Sequence, residues 1–222
     1  MRIMFIAKFG PHDNADEDSI GYALSQLGHE IICIEEHPRK RKESPQELES
    51  IALTCQFVLF LKCPTISLVA DLPCPKVMWY FDKVGDGGDV SLAPRSKSRI
   101  AWFRDMLPHC RLALITDGDF VASNPWDYTR KGVLRQLMQG MDERVAGYGT
   151  STDETIPQIV FAGMVNHGQD RARHIRYLQG KWNSRFGILG DGRLGRRIHG
   201  RQLADYFAGC KIVVSPQGPT RS

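Results

Sequence analysis

Short apolar runs alternate with amphipathic stretches along this chain, and past residue 155 the alternation begins again. An apolar run of ~4–8 residues bounded by polar turns reads as a strand buried on both faces. Amphipathic stretches between such runs read as crossover helices, so the fold class is α/β, with parallel sheets covered by helices. Strands are expected over residues 2–7, 30–35, 56–61, 77–81, 111–116 and 133–138, and after the restart over 158–162, 185–189 and 211–214. Helices are expected over 19–27, from 44 onward, and over 96–107, 170–178 and 201–207. In the first helix Ile20, Ala23, Leu24 and Leu27 share one face, with Asp18 placed as a cap and Gly28 as a stop. Ser44-Pro45-Gln46-Glu47 has the cap, the first-position proline and the early acid of a helix start. Ile100, Phe103 and Leu107 fall on the inner face of the 96–107 helix.

The polar stretch between Asp142 and Thr155 carries Gly147 and Gly149 and is the natural boundary. It divides the chain into an N-terminal domain over 1–141 and a C-terminal domain over 142–222. A nucleotide-binding half of this kind usually has about five or six strands. The second domain, with three, reads as incomplete.

Of the 222 residues, 42% are hydrophobic and 24% charged, ordinary values for a soluble globular protein. The formal charge of +4 suits a phosphate-bearing ligand or a polyanionic acceptor, without singling out nucleic acid. The six cysteines form no C-x-x-C pair and no zinc spacing, so they are expected to be reduced thiols, with Cys33, Cys55 and Cys210 in or beside apolar runs. Residues 1–7 read as a strand ending at Lys8 rather than a signal peptide, and no apolar run approaches the ~20 residues of a membrane helix. A soluble protein of the cytoplasm is therefore expected.

In open parallel sheets ligands sit beyond the C-terminal ends of the strands, at the starts of the following helices. The first such loop reads Phe9-Gly10-Pro11-His12-Asp13-Asn14-Ala15-Asp16-Glu17-Asp18. It lacks G-x-G-x-x-G and its acids would repel a pyrophosphate, which disfavours a dinucleotide oxidoreductase. Gly10, His12 and Asp13 suit a hydroxyl-rich acceptor, or the loop is a solvated turn with capping acids. The corresponding loop after the restart reads Gly163-Met164-Val165-Asn166-His167-Gly168-Gln169-Asp170-Arg171-Ala172-Arg173-His174. Its glycines permit close backbone approach, and Arg171 and Arg173 bring positive charge to a helix start. Backbone amides, helix dipole and guanidinium together suit a diphosphate, with His167 and His174 near enough in sequence to touch it. An exposed basic helix start is the alternative.

Gln158-Ile159-Val160-Phe161-Ala162-Gly163, followed by Gly168-Gln169-Asp170-Arg171, resembles the start of the donor domain in glycosyltransferases of the two-Rossmann (GT-B) type. Phe186-Gly187-Ile188-Leu189-Gly190-Asp191-Gly192 is similar to the strand and GDG turn that members place near the nucleotide base. The stretch from Arg201 through Lys211-Ile212-Val213-Val214-Ser215-Pro216 resembles their next helix and strand with its Ser-Pro turn. Leu134-Arg135-Gln136-Leu137-Met138-Gln139-Gly140 is similar to the inter-domain segment. The nearest types are bacterial and phage family-1-like enzymes, including the phage DNA β-glucosyltransferase type. In that type an aspartate ending an aromatic strand is the general base. Val77-Met78-Trp79-Tyr80-Phe81-Asp82 looks like that strand and nominates Asp82. The resemblance implies two Rossmann-like domains, an acceptor side in the first, and a donor site at Gly163, His167, Gly168, Arg171, Arg173, Gly190, Asp191, Gly192, Ser215 and Pro216. It also implies a nucleotide-sugar co-substrate with no further cofactor. Members continue with an acidic segment that binds the ribose where this chain reaches Thr220-Arg221-Ser222.

Glycosyl transfer needs a base for the acceptor hydroxyl and stabilisation of the leaving diphosphate, the roles that fall to Asp82 and Arg171. Asp82 could equally cap a turn. Asp117-Gly118-Asp119 offers a rival, because a D-x-D after an apolar strand can hold Mn²⁺ or Mg²⁺ on a nucleotide sugar. Turns favour these residues anyway, and an acceptor-facing loop is the preferred reading of Asp117 and Asp119, with no metal. A non-catalytic nucleotide or nucleic-acid binding module is the alternative from another class. The basic run over 39–42 reads as a solvated loop, or as a phosphate contact if the acceptor is DNA.

Overall fold

A computed structural model describes residues 1–9, 16–61, 66–81, 94–122, 128, 131–138, 144, 155–163, 169–190, 198 and 200–214, with the backbone alone at 66, 67, 94–99, 119, 169, 170 and 200. Contacts divide the described residues into two compact units, 1–9 and 16–138 in the first and 144–214 in the second.

Unit 1 contains β1 (Arg2–Ala7), α1 (Asp16–Gln26), β2 (Glu30–Glu35), α2 (Pro45–Thr54), β3 (Phe57–Leu61) and α3 (Ile66–Ala70). It continues with β4 (Lys76–Tyr80), α4 (Pro94–Met106), β5 (Leu112–Ile115), α5 (Gly118–Ala122) and β6 (Leu134–Gln136). All six strands are parallel, in the order β2-β1-β3-β4-β5-β6. Side chains alternate between the two faces as the period of a strand requires. Met4, Ile6, Val58, Phe60, Met78 and Ile115 pack with Leu48 of α2, Val69 of α3, and Phe103 and Met106 of α4. Ile3, Phe5, Ala7, Leu59 and Leu61 face the other way, against Ile20 and Leu24 of α1.

Local chemistry sets several element ends. The side chain of Ser44 accepts from the Glu47 amide while the Glu47 carboxylate accepts from the Ser44 amide, a complete capping box for α2. Hydrogen bonds to its carboxylate from the Ser44 amide and, secondarily, the Ser44 side chain hold the Glu47 carboxyl below its ordinary range. Gly28 ends α1 with φ 79, its amide donating to the Ser25 carbonyl and that of His29 to the Leu24 carbonyl. That is the Schellman arrangement, and glycine enters it without a side-chain penalty. Asp18 lies within the first turn of α1, beside Asp16 and Glu17, rather than before it. Leu27, expected on the inner face, is 71% exposed, because the chain has turned into that left-handed exit by then. Two five-residue helices, α3 and α5, stand where no helix was expected. They are too short to display a helical period.

Unit 2 contains β7 (Ile159–Gly163), α6 (Gln169–Trp182), β8 (Phe186–Gly190), α7 (Gly200–Gly209) and β9 (Ile212–Val214), its three parallel strands in the order β8-β7-β9. Ile159 and Phe161 of β7 pack against Ala172 and Ile175 of α6. Val160 and Leu189 pack on the other face, against Leu203, Tyr206 and Phe207 of α7. The helix expected to stop at 178 runs on through Gly180 to Trp182 and ends at Asn183, which takes φ 45. Asparagine is among the few residues that accept that left-handed conformation.

Cys55, Cys74 and Cys110 are buried in unit 1, Cys210 is half-buried, and Cys33 is exposed. Burial pushes the Cys74, Cys110 and Cys210 thiols upward, Cys110 to about 12. No described helix is long and apolar enough to cross a membrane.

Candidate functional site

Both sheets place their first strand between their second and third, so the strand order reverses beside β1 in unit 1 and beside β7 in unit 2. A crevice opens at such a reversal, outside the carboxyl ends of the strands. In unit 2, β7 and β8 end on Gly163 and Gly190, which are register partners with φ 143 and φ 121. A Cβ on Gly190 would come within 3.0 Å of the Gly163 amide nitrogen and carbonyl oxygen. One on Gly163 would come within 3.2 Å of the Phe161 ring. These backbones take a conformation side chains rarely adopt, and they leave the two strand ends bare. Following β7, α6 begins at Gln169. Buried Ala172 and Ile175 fix its inner stripe to the sheet, which leaves Arg171 half-buried and Arg173 exposed within the first turns. The amino end of α6 and two guanidinium groups therefore share the end at which the glycine pair sits, an arrangement suited to an anion. His167, Gly168, Asp191, Gly192, Ser215 and Pro216 lie outside the described residues. β9 runs up to Val214, in register with Phe161.

In unit 1, β4 and β5 end side by side. The Thr116 hydroxyl donates to the Phe81 carbonyl at 2.6 Å and to the Tyr80 carbonyl at 3.3 Å, and the Thr116 amide donates to the Tyr80 carbonyl. The two residues preceding Asp82 are thus tied to the end of β5. Asp82 itself lies outside the described residues, as do Gly10, His12 and Asp13. Thr116 was not singled out in the sequence, where its only signal is a hydroxyl at the end of an apolar strand. The rings of Trp79 and Phe81 meet edge to face at 5.0 Å, and the Trp79 Nε1 is buried with no hydrogen-bond partner. Asp117 Oδ1 accepts from the Phe120 amide at 3.2 Å, so this carboxylate caps α5. The side chain of Asp119 is outside the described set. Among the described residues no group of three or more His, Cys, Asp or Glu is placed to hold a metal ion.

No protein-family model matches the chain, and no curated protein matches its sequence. Solved structures do match. HepE from Anabaena, in complex with UDP and glucose, is 10% identical with a TM-score of 0.50, over 96% of this chain and 73% of its own. The glycotransferase of kitacinnamycin is 10% identical at a TM-score of 0.46, over 98% of this chain and 81% of its own. The glycosyltransferase SsfS6 of Streptomyces sp. SF2575, complexed with thymidine diphosphate, is 11% identical at 0.44, over 96% and 75%. The TM-score of 0.50 with HepE at so low an identity shows a shared fold alone, and with the two parallel sheets above it gives the chain the GT-B architecture of two Rossmann-like units.

Proposed function

We propose that the chain is a glycosyltransferase that moves a sugar from a nucleotide-sugar donor to a hydroxyl acceptor without a metal ion. The observation that carries this reading is the bare Gly163–Gly190 strand end beside the arginine-bearing start of α6, at the point where the strand order of unit 2 reverses. In this reading the residues from 142 onward form the donor domain and those up to 141 the acceptor side. Arg171 and Arg173, with the amides near Gly163, His167 and Gly168, hold the diphosphate and stabilise the charge that develops on it as the glycosidic bond breaks. Gly190, Asp191 and Gly192 border the base, and Ser215 and Pro216 close the same end. Asp82 takes the acceptor proton, next in sequence to Phe81, whose carbonyl accepts from the Thr116 hydroxyl. Gly10, His12, Asp13, Asp117 and Asp119 line the acceptor side. The free thiols fit a reducing compartment, the cytoplasm.

Calorimetry with UDP, GDP and thymidine diphosphate, followed by sugar-release assays with the matching nucleotide sugars, tests it. One nucleotide should bind, and Arg171→Ala should weaken it by about tenfold or more, the loss of a charge-assisted contact. Asp82→Asn should abolish turnover with donor affinity kept. Binding without turnover under any condition would favour a nucleotide-binding module, and loss of activity in excess chelator would favour a metal at the D-x-D. Nucleotide binding untouched by Arg171→Ala would remove the assigned donor site.

A further inference from the structure

The last turn of α6 is exposed all round. Leu178 still packs against the core of unit 2, but every residue from Gln179 to Arg185 is exposed, through the helix end at Trp182 and the 3₁₀ turn over Asn183–Arg185. Helices in proteins are held chiefly by the packing of one face, and Gly180 weakens this one further. The core of unit 2 therefore does not account for the turn. Trp182 falls at the next position of the inner stripe after Ala172, Ile175 and Leu178, yet it is 37% exposed, and Tyr177 is 63% exposed. The charge is as uneven as the packing. Residues from 142 onward carry twelve Lys and Arg against seven Asp and Glu, and those up to 141 carry seventeen against eighteen. From Arg171 to Gly190 there is no acid at all. Arg171 and Arg173 lie at the proposed donor site, while Arg176, Lys181 and Arg185, all exposed, belong to the far half of the helix and the turn after it.

The chemistry of this helix end narrows its partner. Three cations call for an anionic surface. The Lys181 Nζ lies over both rings, 5.9 Å from the centroid of Tyr177 and 5.7 Å from that of Trp182, so the aromatic and cationic groups form one patch. A nucleic-acid strand is gripped by stacking its bases on open ring faces, and here an ammonium already covers a face of each ring. A bilayer surface asks for something else: Trp and Tyr rings at the level of the headgroups, with Lys and Arg beside them among the lipid phosphates. We propose that the exposed end of α6, from Arg176 to Arg185, docks on a bilayer containing anionic phospholipid, independently of whether the chain transfers sugar. The opposite end of the same helix, ~20 Å away along its axis, carries the candidate donor site and stays clear of the lipid.

Co-sedimentation of the full chain with vesicles tests it, comparing phosphatidylcholine alone with phosphatidylcholine containing about 30% phosphatidylglycerol. The protein should sediment with the anionic vesicles only. Raising the salt from about 0.05 M to about 0.5 M should release it. Lys181→Gln combined with Arg185→Gln should weaken binding by about tenfold or more, and Tyr177→Ala by a few-fold. Arg39→Gln combined with Lys40→Gln, in the basic turn of unit 1, should leave it unchanged. Saturating UDP should also leave it unchanged, and failure of UDP to bind would count against the donor site alone. The assignment is overturned if the anionic vesicles are not bound, or if neutral ones are bound as well. It is equally overturned if the α6 variants bind like the parent, or if the unit 1 variant loses as much. Displacement from the vesicles by a DNA oligonucleotide would transfer the patch to nucleic acid. A smaller particle in solution for the Lys181→Gln, Arg185→Gln variant would transfer it to a second copy of the chain.

Discussion

Gly190 is the residue on which the strand end of unit 2 turns most sharply. Its φ of 121 and the 3.0 Å approach to the Gly163 backbone leave no room for a methyl group. Gly190→Ala should therefore destabilise unit 2 by about 2–3 kcal/mol, the sum of backbone strain and a contact that backbone cannot yield. At the proposed donor site it should also weaken nucleotide binding, since relief requires β8 to pull away from β7. Chemical denaturation and calorimetry on the same variant measure both, and an alanine tolerated within 0.5 kcal/mol would remove the glycine pair from the site. Gly180 offers the control, because a Cβ there meets nothing within 4 Å and Gly180→Ala lies inside a helix. That change should stabilise the protein by roughly 0.5–1 kcal/mol.

Among the elements, α2 has the most completely specified start. Ser44→Ala removes the oxygen that the Glu47 amide donates to and should cost about 1 kcal/mol, read as a shift in the denaturation midpoint. The effect should shrink in acid as the Glu47 carboxylate protonates, since the Ser44 side chain also stabilises that carboxylate in its charged form. A Ser44→Ala variant as stable as the parent would show that α2 is held by Leu48 and Ala52 alone. This helix was legible in the sequence because its signal is local, four consecutive residues with one geometry. The strands were legible for a different reason: burial on both faces leaves continuous apolar runs, and every expected strand has a counterpart within one or two residues of its ends. Helices α3 and α5 were not legible, since a five-residue segment following a strand has no period to show. At the site, Gly163 and Arg171 stood out by residue type and position. That Gly163 opposes Gly190, or that Thr116 reaches the Phe81 carbonyl, depends on register between strands far apart in the chain, which no single segment encodes.

For the molecule as a whole, Cys110 ties stability to pH. Burial lifts its thiol from 9.0 to about 12, so the folded state holds this proton more tightly than the unfolded chain. The stabilisation is complete below pH 9 and is lost as pH rises towards 12, with a slope approaching about 1.4 kcal/mol per pH unit. Urea denaturation at about pH 8 and about pH 10.5 should show a larger fall for the parent protein than for Cys110→Ala. Parallel falls in the two proteins would mean that the thiol ionises without opposition. Beneath this lies a wider property of the two cores. Cysteine thiols and the Tyr80 phenol apart, no described polar or charged side chain is buried in either of them. Folding and chemistry then draw on separate sets of residues: apolar strand interiors hold the sheets, while the segments that leave the strand ends carry the charges. Selection can rewrite those segments without first repairing the scaffold, so a lineage built on this chain is free to change what it binds while keeping its sheets.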